Sequence, residues 1–135
     1  MLPTTTRVMI VDRDPRSVAR VAALFGALGY ADTDNANSMS VALPRLHNDS
    51  FGLISIDWDM DAPANGSALL ETIRRDYKIK HLPVIMCCEM RHVPYARYMT
   101  KETILQGYVL KPATLEALSA VLTPLVSPTL PSFNV

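Results

Sequence analysis

Leu53-Ile54-Ser55-Ile56 is a short apolar run that ends in a bare carboxylate, Asp57, followed by Trp58, Asp59 and Met60. Apolar residues at nearly every position fit a strand covered on both faces, and strands of that kind belong to parallel sheets between helix layers. Ending such a strand in an ionisable group costs desolvation energy. The C-terminal edge of an open parallel sheet is also where ligands and chemistry collect. One run therefore constrains both the architecture and the place of any site.

Three more runs repeat the pattern. Val8-Met9-Ile10-Val11 leads into Asp12, Pro83 opens Val84-Ile85-Met86-Cys87-Cys88, and Gly107-Tyr108-Val109-Leu110 ends at Lys111-Pro112. Helical patterns lie between them. Asp14-Pro15 reads as an N-cap with proline in the first turn, and Val18, Val21, Ala22, Phe25 and Leu28 form a stripe that Gly29 stops. Tyr30 to Asn35 reads as a weak, polar edge strand. A helix is expected from Ser38 to Asn48, kinked or shortened by Pro44.

A third helix carries Leu69, Leu70 and Ile73, a fourth spans Tyr95 to Gln106, and the last follows Thr114 with Leu115, Leu118, Val121, Leu122 and Leu125 in register. Five strand–helix units predict an α/β, flavodoxin-like doubly wound domain, (βα)5, with a five-stranded parallel sheet of order 2-1-3-4-5. Residues 1–126 form that domain in this reading, and 127–135, with two prolines, a C-terminal tail.

Composition removes several function classes. Thirteen basic residues balance thirteen acidic ones, with no basic block, so there is no electrostatic footprint for nucleic acid. No apolar run is long enough to span a membrane, and Met1-Leu2-Pro3-Thr4 lacks the start of a signal peptide, so a cytoplasmic location is expected. Cys87 and Cys88 are adjacent on one strand and point to opposite faces, which fits buried reduced thiols. His47, His81 and His92 show no ligand spacing and read as surface or loop residues.

The strand ends together deliver Asp12, Asp57, Cys88 and Lys111 to one rim, with the first and third strands adjacent at the switch point of the sheet. Paired carboxylates suit a hard cation such as Mg²⁺, and a lysine opposite them suits a phosphoryl group held at Asp57.

These four motifs, in this order and over roughly residues 7 to 125, resemble the receiver domain of bacterial response regulators. The resemblance implies a stand-alone phosphorelay signalling domain of a two-component system and not an enzyme. A sensor histidine kinase or phosphotransfer protein would phosphorylate Asp57, giving an aspartyl phosphate. Mg²⁺ would be held by Asp12 and Asp57, with Asp59 contributing through backbone or side chain. Lys111 would contact the phosphoryl group, with the Lys-Pro bond usually cis. Cys88 and Tyr108 would occupy the switch positions that relay the event to the face of the fourth helix, fifth strand and fifth helix. There a downstream target protein would bind; the chain itself would be a monomer or weak homodimer.

The sequence departs from that pattern. Receivers carry two adjacent acids after the first strand, and here Arg13 follows Asp12. Three carboxylates and one lysine leave a pocket doubly negative. Asp12 and Asp57 against Arg13 and Lys111 cancel, with one negative charge left if Asp59 faces inward. Opposite charges about 4 Å apart interact by ~4 kcal/mol at an effective dielectric near 20, enough to move metal affinity by orders of magnitude. Arg13 could also pair with Asp57 in the cation's place, and Asp14 is expected to cap the helix rather than bind metal. Cys88 offers a weaker donor than a hydroxyl. The loop from Asp57 to Gly66 is one residue longer than is usual in the family, with Asp61 where proline is common, which would displace Gly66. The alternative reading is a pseudo-receiver: a phosphorylation-independent protein-interaction module. An FMN carrier of the same topology would need a phosphate cradle where Asp12-Arg13-Asp14-Pro15 stands, and ranks below both.

Overall fold

Five parallel strands run in the order β2-β1-β3-β4-β5: β1 Val8–Val11, β2 Thr33–Ala36, β3 Leu53–Asp57, β4 Val84–Cys88 and β5 Gly107–Leu110. Helices α1 Pro15–Ala27, α2 Met39–Asn48, α3 Gly66–Arg75, α4 Val93–Lys101 and α5 Leu115–Leu122 alternate with them. This computed structural model describes residues 1–60 and 65–126; the expected tail at 127–135 and the loop positions 61–64, Asp61 among them, lie outside the described residues. The doubly wound topology and strand order are those expected. No helix among the described residues is long and apolar enough to cross a membrane.

The period of two along each strand splits the core into two layers. On β1, Met9 and Val11 join the layer that holds Leu69, Leu70 and Ile73 of α3, with Ala96 and Met99 of α4. Val8 and Ile10 face the other layer, with Val21 and Phe25 of α1 and Leu118 and Leu122 of α5. Each fully buried Leu or Ile contributes on the order of 1.5–3 kcal/mol, so these faces rather than helix propensity hold the elements in place.

Local signals set the helix ends. Asp14 accepts the Arg16 N–H at 3.0 Å and Pro15 opens α1. Ser38, Asn65 and Thr114 cap α2, α3 and α5 by accepting from Val41, Ala68 and Ala117. Gly29 lies beyond α1 at φ +97°, a left-handed turn that glycine enters without strain.

Three local expectations need correction. Tyr30 is not in β2; it is fully buried, edge-on to Phe25, and its hydroxyl donates to the Leu2 carbonyl at 2.6 Å. That packing holds the chain out of the sheet until Thr33. Pro44 does not shorten α2, which runs on to Asn48. Ala42 and Leu46 are buried on either side of the proline, and Arg45 pairs with Asp34 on β2 and with Asp49, which offsets the lost hydrogen bond.

α4 is displaced toward its N-terminus. A 3₁₀ turn at Met90–His92 leads into Val93, and the helix stops at Lys101 because Thr103 takes φ +60° and Ile104 and Leu105 fold back onto the Met99 carbonyl. A β-branched residue in that conformation carries no sequence signal of a stop. The surface or loop reading of the histidines holds, with His47 exposed and His92 in the turn after β4, and both are engaged there. His47 lies in α2 and its Nε2 is 2.6 Å from Asp76 Oδ2, and His92 is half-buried against Trp58.

Gly66 opens α3 directly behind Asp57, with its N–H donating to the Trp58 carbonyl at 2.9 Å. A Cβ there would collide with the Asp57 carbonyl oxygen and stand 2.8 Å from Met86 Cε, whereas at Gly26 of α1 it would meet nothing within 4 Å. Gly66→Ala should cost about 1–3 kcal/mol by overpacking, and Gly26→Ala should gain roughly 0.5–1 kcal/mol of helix stability. Urea unfolding of both variants checks this opposite pair of signs.

Candidate functional site

Register brings the predicted residues together. Val11 pairs with Ile56 across β1 and β3, so Asp12 and Asp57 leave neighbouring strand ends. Asp57 pairs with Cys87, and Cys88 with Leu110, so Lys111 follows at the same rim. Each position is tied down by backbone. Asp12 N–H donates to the Ala36 carbonyl at 3.0 Å, and Lys111 N–H to that of Cys88 at 2.9 Å. The Lys111–Pro112 bond is cis.

Asp12 and Asp57 are 3% and 6% exposed. Asp12 Oδ1 accepts the Asp14 N–H at 2.9 Å. Asp57 Oδ1 is in an ion pair with Lys111 Nζ and accepts no well-directed hydrogen bond among the described residues. Lys111 Nζ also donates to Asp59 Oδ2 at 3.2 Å, so one ammonium is divided between two carboxylates. Asp59 Oδ1 is held from the far side by Arg91 at 3.5 Å, and Arg91 also reaches Glu89 at 3.3 Å. Asp57, Lys111, Asp59, Arg91 and Glu89 thus alternate in sign from the buried rim out to solvent.

Burial raises the Asp57 pKa to about 6, and the neighbouring Asp12 and Asp59 charges add to the rise while Lys111 opposes it. For Asp59, burial also works upward, yet Lys111, with His92 and Arg91 behind it, holds this carboxyl below its usual range. Burial works downward on Lys111, and Asp57 and Asp59 together outweigh it, so the ammonium is kept charged. The Cys88 thiol is pushed up by burial, and so is Cys87, to about 12. Neither thiol is a nucleophile at neutral pH.

Asp12, Asp57 and Lys111 converge as expected. Asp14 is the helix cap. Asp59, expected among the metal ligands, is turned to Lys111 and Arg91. Among the described residues no three His, Cys, Asp or Glu side chains gather in a way that would hold a metal ion. Cys88 is fully buried beside the acid cluster. Tyr108 is half-buried on β5 against the core layer of α3 and α4. Arg13 is an exposed residue between β1 and α1.

The turn after β4 contributes partners that sequence reasoning missed. His92 stacks on Trp58 at 4.6 Å between ring centroids and 12° between planes, and Tyr95 meets Trp58 edge-on at 5.6 Å. The Glu89 N–H donates to His92 Nδ1 at 3.3 Å, which fixes the ring. Stack and Arg91–Asp59 pair together fasten Glu89–His92 to the end of β3. Both contacts cross more than thirty residues, and a lone His or Arg in a loop gives no local sign of them.

A family model for the response regulator receiver domain matches residues 8–123. The chemotaxis protein CheY of Pseudomonas aeruginosa is 32% identical over 113 residues, covering 83% of this chain and 89% of that protein. CheY-3 of Vibrio cholerae is 31% identical over 119 residues, 87% of this chain and 89% of its own. The fold matches that of Vibrio cholerae CheY4, at a TM-score of 0.75 and 22% identity, over 88% of this chain and 97% of that one. It also matches a receiver domain protein from Clostridium thermocellum, at 0.73 and 20%, over 87% and 91%.

The raised Asp57 pKa has a consequence for stability. Unfolded, the group titrates near its ordinary value of about 3.9; folded, near 6. Between those pH values the folded state keeps the proton and the unfolded state does not, so stability falls as pH rises, by about 3 kcal/mol at most. Asp57→Asn should abolish this fall. It should exceed wild type by ~1–3 kcal/mol at pH 7 and match it near pH 4. Urea unfolding at both pH values decides, and superimposable profiles would contradict the buried-charge account.

Proposed function

The chain belongs to the response regulator receiver family, and on that premise we propose that Asp57 is its phosphoacceptor. The observation that carries this reading is the meeting of two buried carboxylates, Asp12 and Asp57, at neighbouring strand ends, with the Lys111 ammonium paired to Asp57. An oxygen of the Asp57 carboxylate attacks phosphorus as the P–N bond to a partner's phosphohistidine breaks, and the histidine nitrogen keeps the electron pair. The Lys111 ammonium, already at Asp57 Oδ1, moves its charge onto the phosphoryl oxygens. In so doing it leaves Asp59, whose second partner Arg91 remains. The result is an acylphosphate on the domain's own side chain; no substrate is turned over.

Asp12 and Asp57 are also a donor set that Mg²⁺ accepts, since this ion commonly uses one or two carboxylates and keeps several waters. When bound, it would neutralise negative charge on the phosphoryl group. Arg13, where receivers place a second acid, and Lys111 on Asp57 both weaken that site. Cys88 lines the same rim with a weak donor, and Tyr108 on β5 is the aromatic through which the change reaches the α4–β5–α5 face. The partners in this reading are a histidine kinase or phosphotransfer protein and a downstream target.

A second reading follows from the same lysine. With Asp57 neutralised by Lys111 and with Arg13 in place of an acid, the pocket carries charges that imitate a filled site. The domain would then present one fixed binding surface without phosphate or metal. Intact mass after incubation with acetyl phosphate and Mg²⁺ separates the two. Phosphoryl gain by wild type and none by Asp57→Asn is the expected outcome; gain only after Arg13→Asp would establish the second. Arg13→Asp should also tighten Mg²⁺ binding by at least about tenfold, read from Trp58 fluorescence.

A further inference from the structure

A cavity of about 580 Å³ opens on the other side of Lys111 from the acid cluster, between the N-terminal half of α1 and the turns after β4 and β5. Its size suits a small organic ligand, for which sites of about 300–1,000 Å³ are usual. The charges around it are not equally committed. Glu89 is paired with Arg91, Lys111 with Asp57 and Asp59, and Asp14 caps α1. Arg16 and Arg20 line the cavity one helical turn apart, and neither pairs with a carboxylate among the described residues.

Arg20 is set for recognition. Its Nε donates to the Ala113 carbonyl at 2.8 Å, which pins the guanidinium across from α5. Both terminal amino groups are left without a protein partner among the described residues. A guanidinium held by Nε presents a planar fork that matches two oxygens of one anion, with its orientation already fixed. Ser17 adds a hydroxyl, and Val21, Pro112 and Ala113 give the cavity an apolar wall.

We propose that this cavity is a binding site for a small organic phosphomonoester, its phosphate held by Arg16, Arg20 and Ser17 and its body against Val21, Pro112 and Ala113. Two uncommitted cations match a dianion, and the apolar wall favours an organic body over inorganic phosphate. Because Lys111 lines both spaces, occupancy draws that ammonium away from Asp57 and Asp59. The site itself does not depend on Asp57 being a phosphoacceptor.

AMP is the probe, titrated calorimetrically into the full chain, with adenosine and inorganic phosphate as its two halves. Saturable binding below about 1 mM is expected, with each half at least tenfold weaker. Asp57→Asn should bind AMP as well as wild type or better, since it frees Lys111. Arg16→Gln with Arg20→Gln should weaken binding at least tenfold. Arg16→Gln alone, whose side chain holds nothing in the fold, should weaken it severalfold and serves if the double variant unfolds. AMP binding no tighter than inorganic phosphate, or unchanged by these substitutions, overturns the proposal. Loss of phosphoryl uptake with AMP binding intact would strike only the Asp57 reading, and the reverse result only this one.

Discussion

The ion pair between Lys111 and Asp57 is the constraint around which the rim is arranged. A carboxylate that is 6% exposed, and whose Oδ1 accepts no well-directed hydrogen bond among the described residues, is a large liability unless a cation stands against it. Here the cation comes from the end of β5, two strands away, so the pair exists only when β3, β4 and β5 are in register. Lys111 brings Asp59 with it, and Asp59 brings Arg91, so the turn after β4 is charged into place by the same group. Burial raises the Asp57 pKa even with the Lys111 ammonium beside it. A group left poised in this way responds readily to a new charge beside it.

Around that pair, apolar contacts decide how a charge change at the rim would be felt. Trp58 follows Asp57 directly, stacks on His92 and touches Tyr95, the third residue of α4. Tyr95 in turn stacks on Tyr98, which is exposed. A movement of the turn after β4 is therefore linked to the exposed side of α4 by packed rings rather than by a long hydrogen-bond chain. Gly66 on the opposite side admits no side chain and holds the start of α3 against the Asp57 carbonyl.

Much of this was legible in the chain before folding. The strand runs, the cap Asp14 and the convergence of Asp12, Asp57 and Lys111 all follow from local patterns plus the topology they force. The errors are of one kind. Tyr30 looks like a strand residue in the sequence, whereas its burial against Phe25 and Leu2 is a tertiary fact. α4 ends earlier than its pattern suggests because Thr103 takes a conformation its residue type disfavours. Pro44 leaves α2 at its full length because the packing of its neighbours Ala42 and Leu46 outweighs one lost hydrogen bond. Asp59 lies two residues after Asp57, and that proximity says nothing of Lys111 and Arg91 reaching its carboxylate.

Residue order alone determined the layers, the sheet order and which functional groups arrive at the rim, because hydrophobic periodicity and chain connectivity admit few solutions. Tertiary structure alone decided how those groups share their charges: Lys111 divided between two acids, Asp59 held by Arg91, His92 laid on Trp58, and Arg20 pinned by Ala113 with its fork open. Periodicity is a property of neighbours a few residues apart. Pairing among side chains tens of residues apart depends on distances and burial that exist only once the sheet has closed.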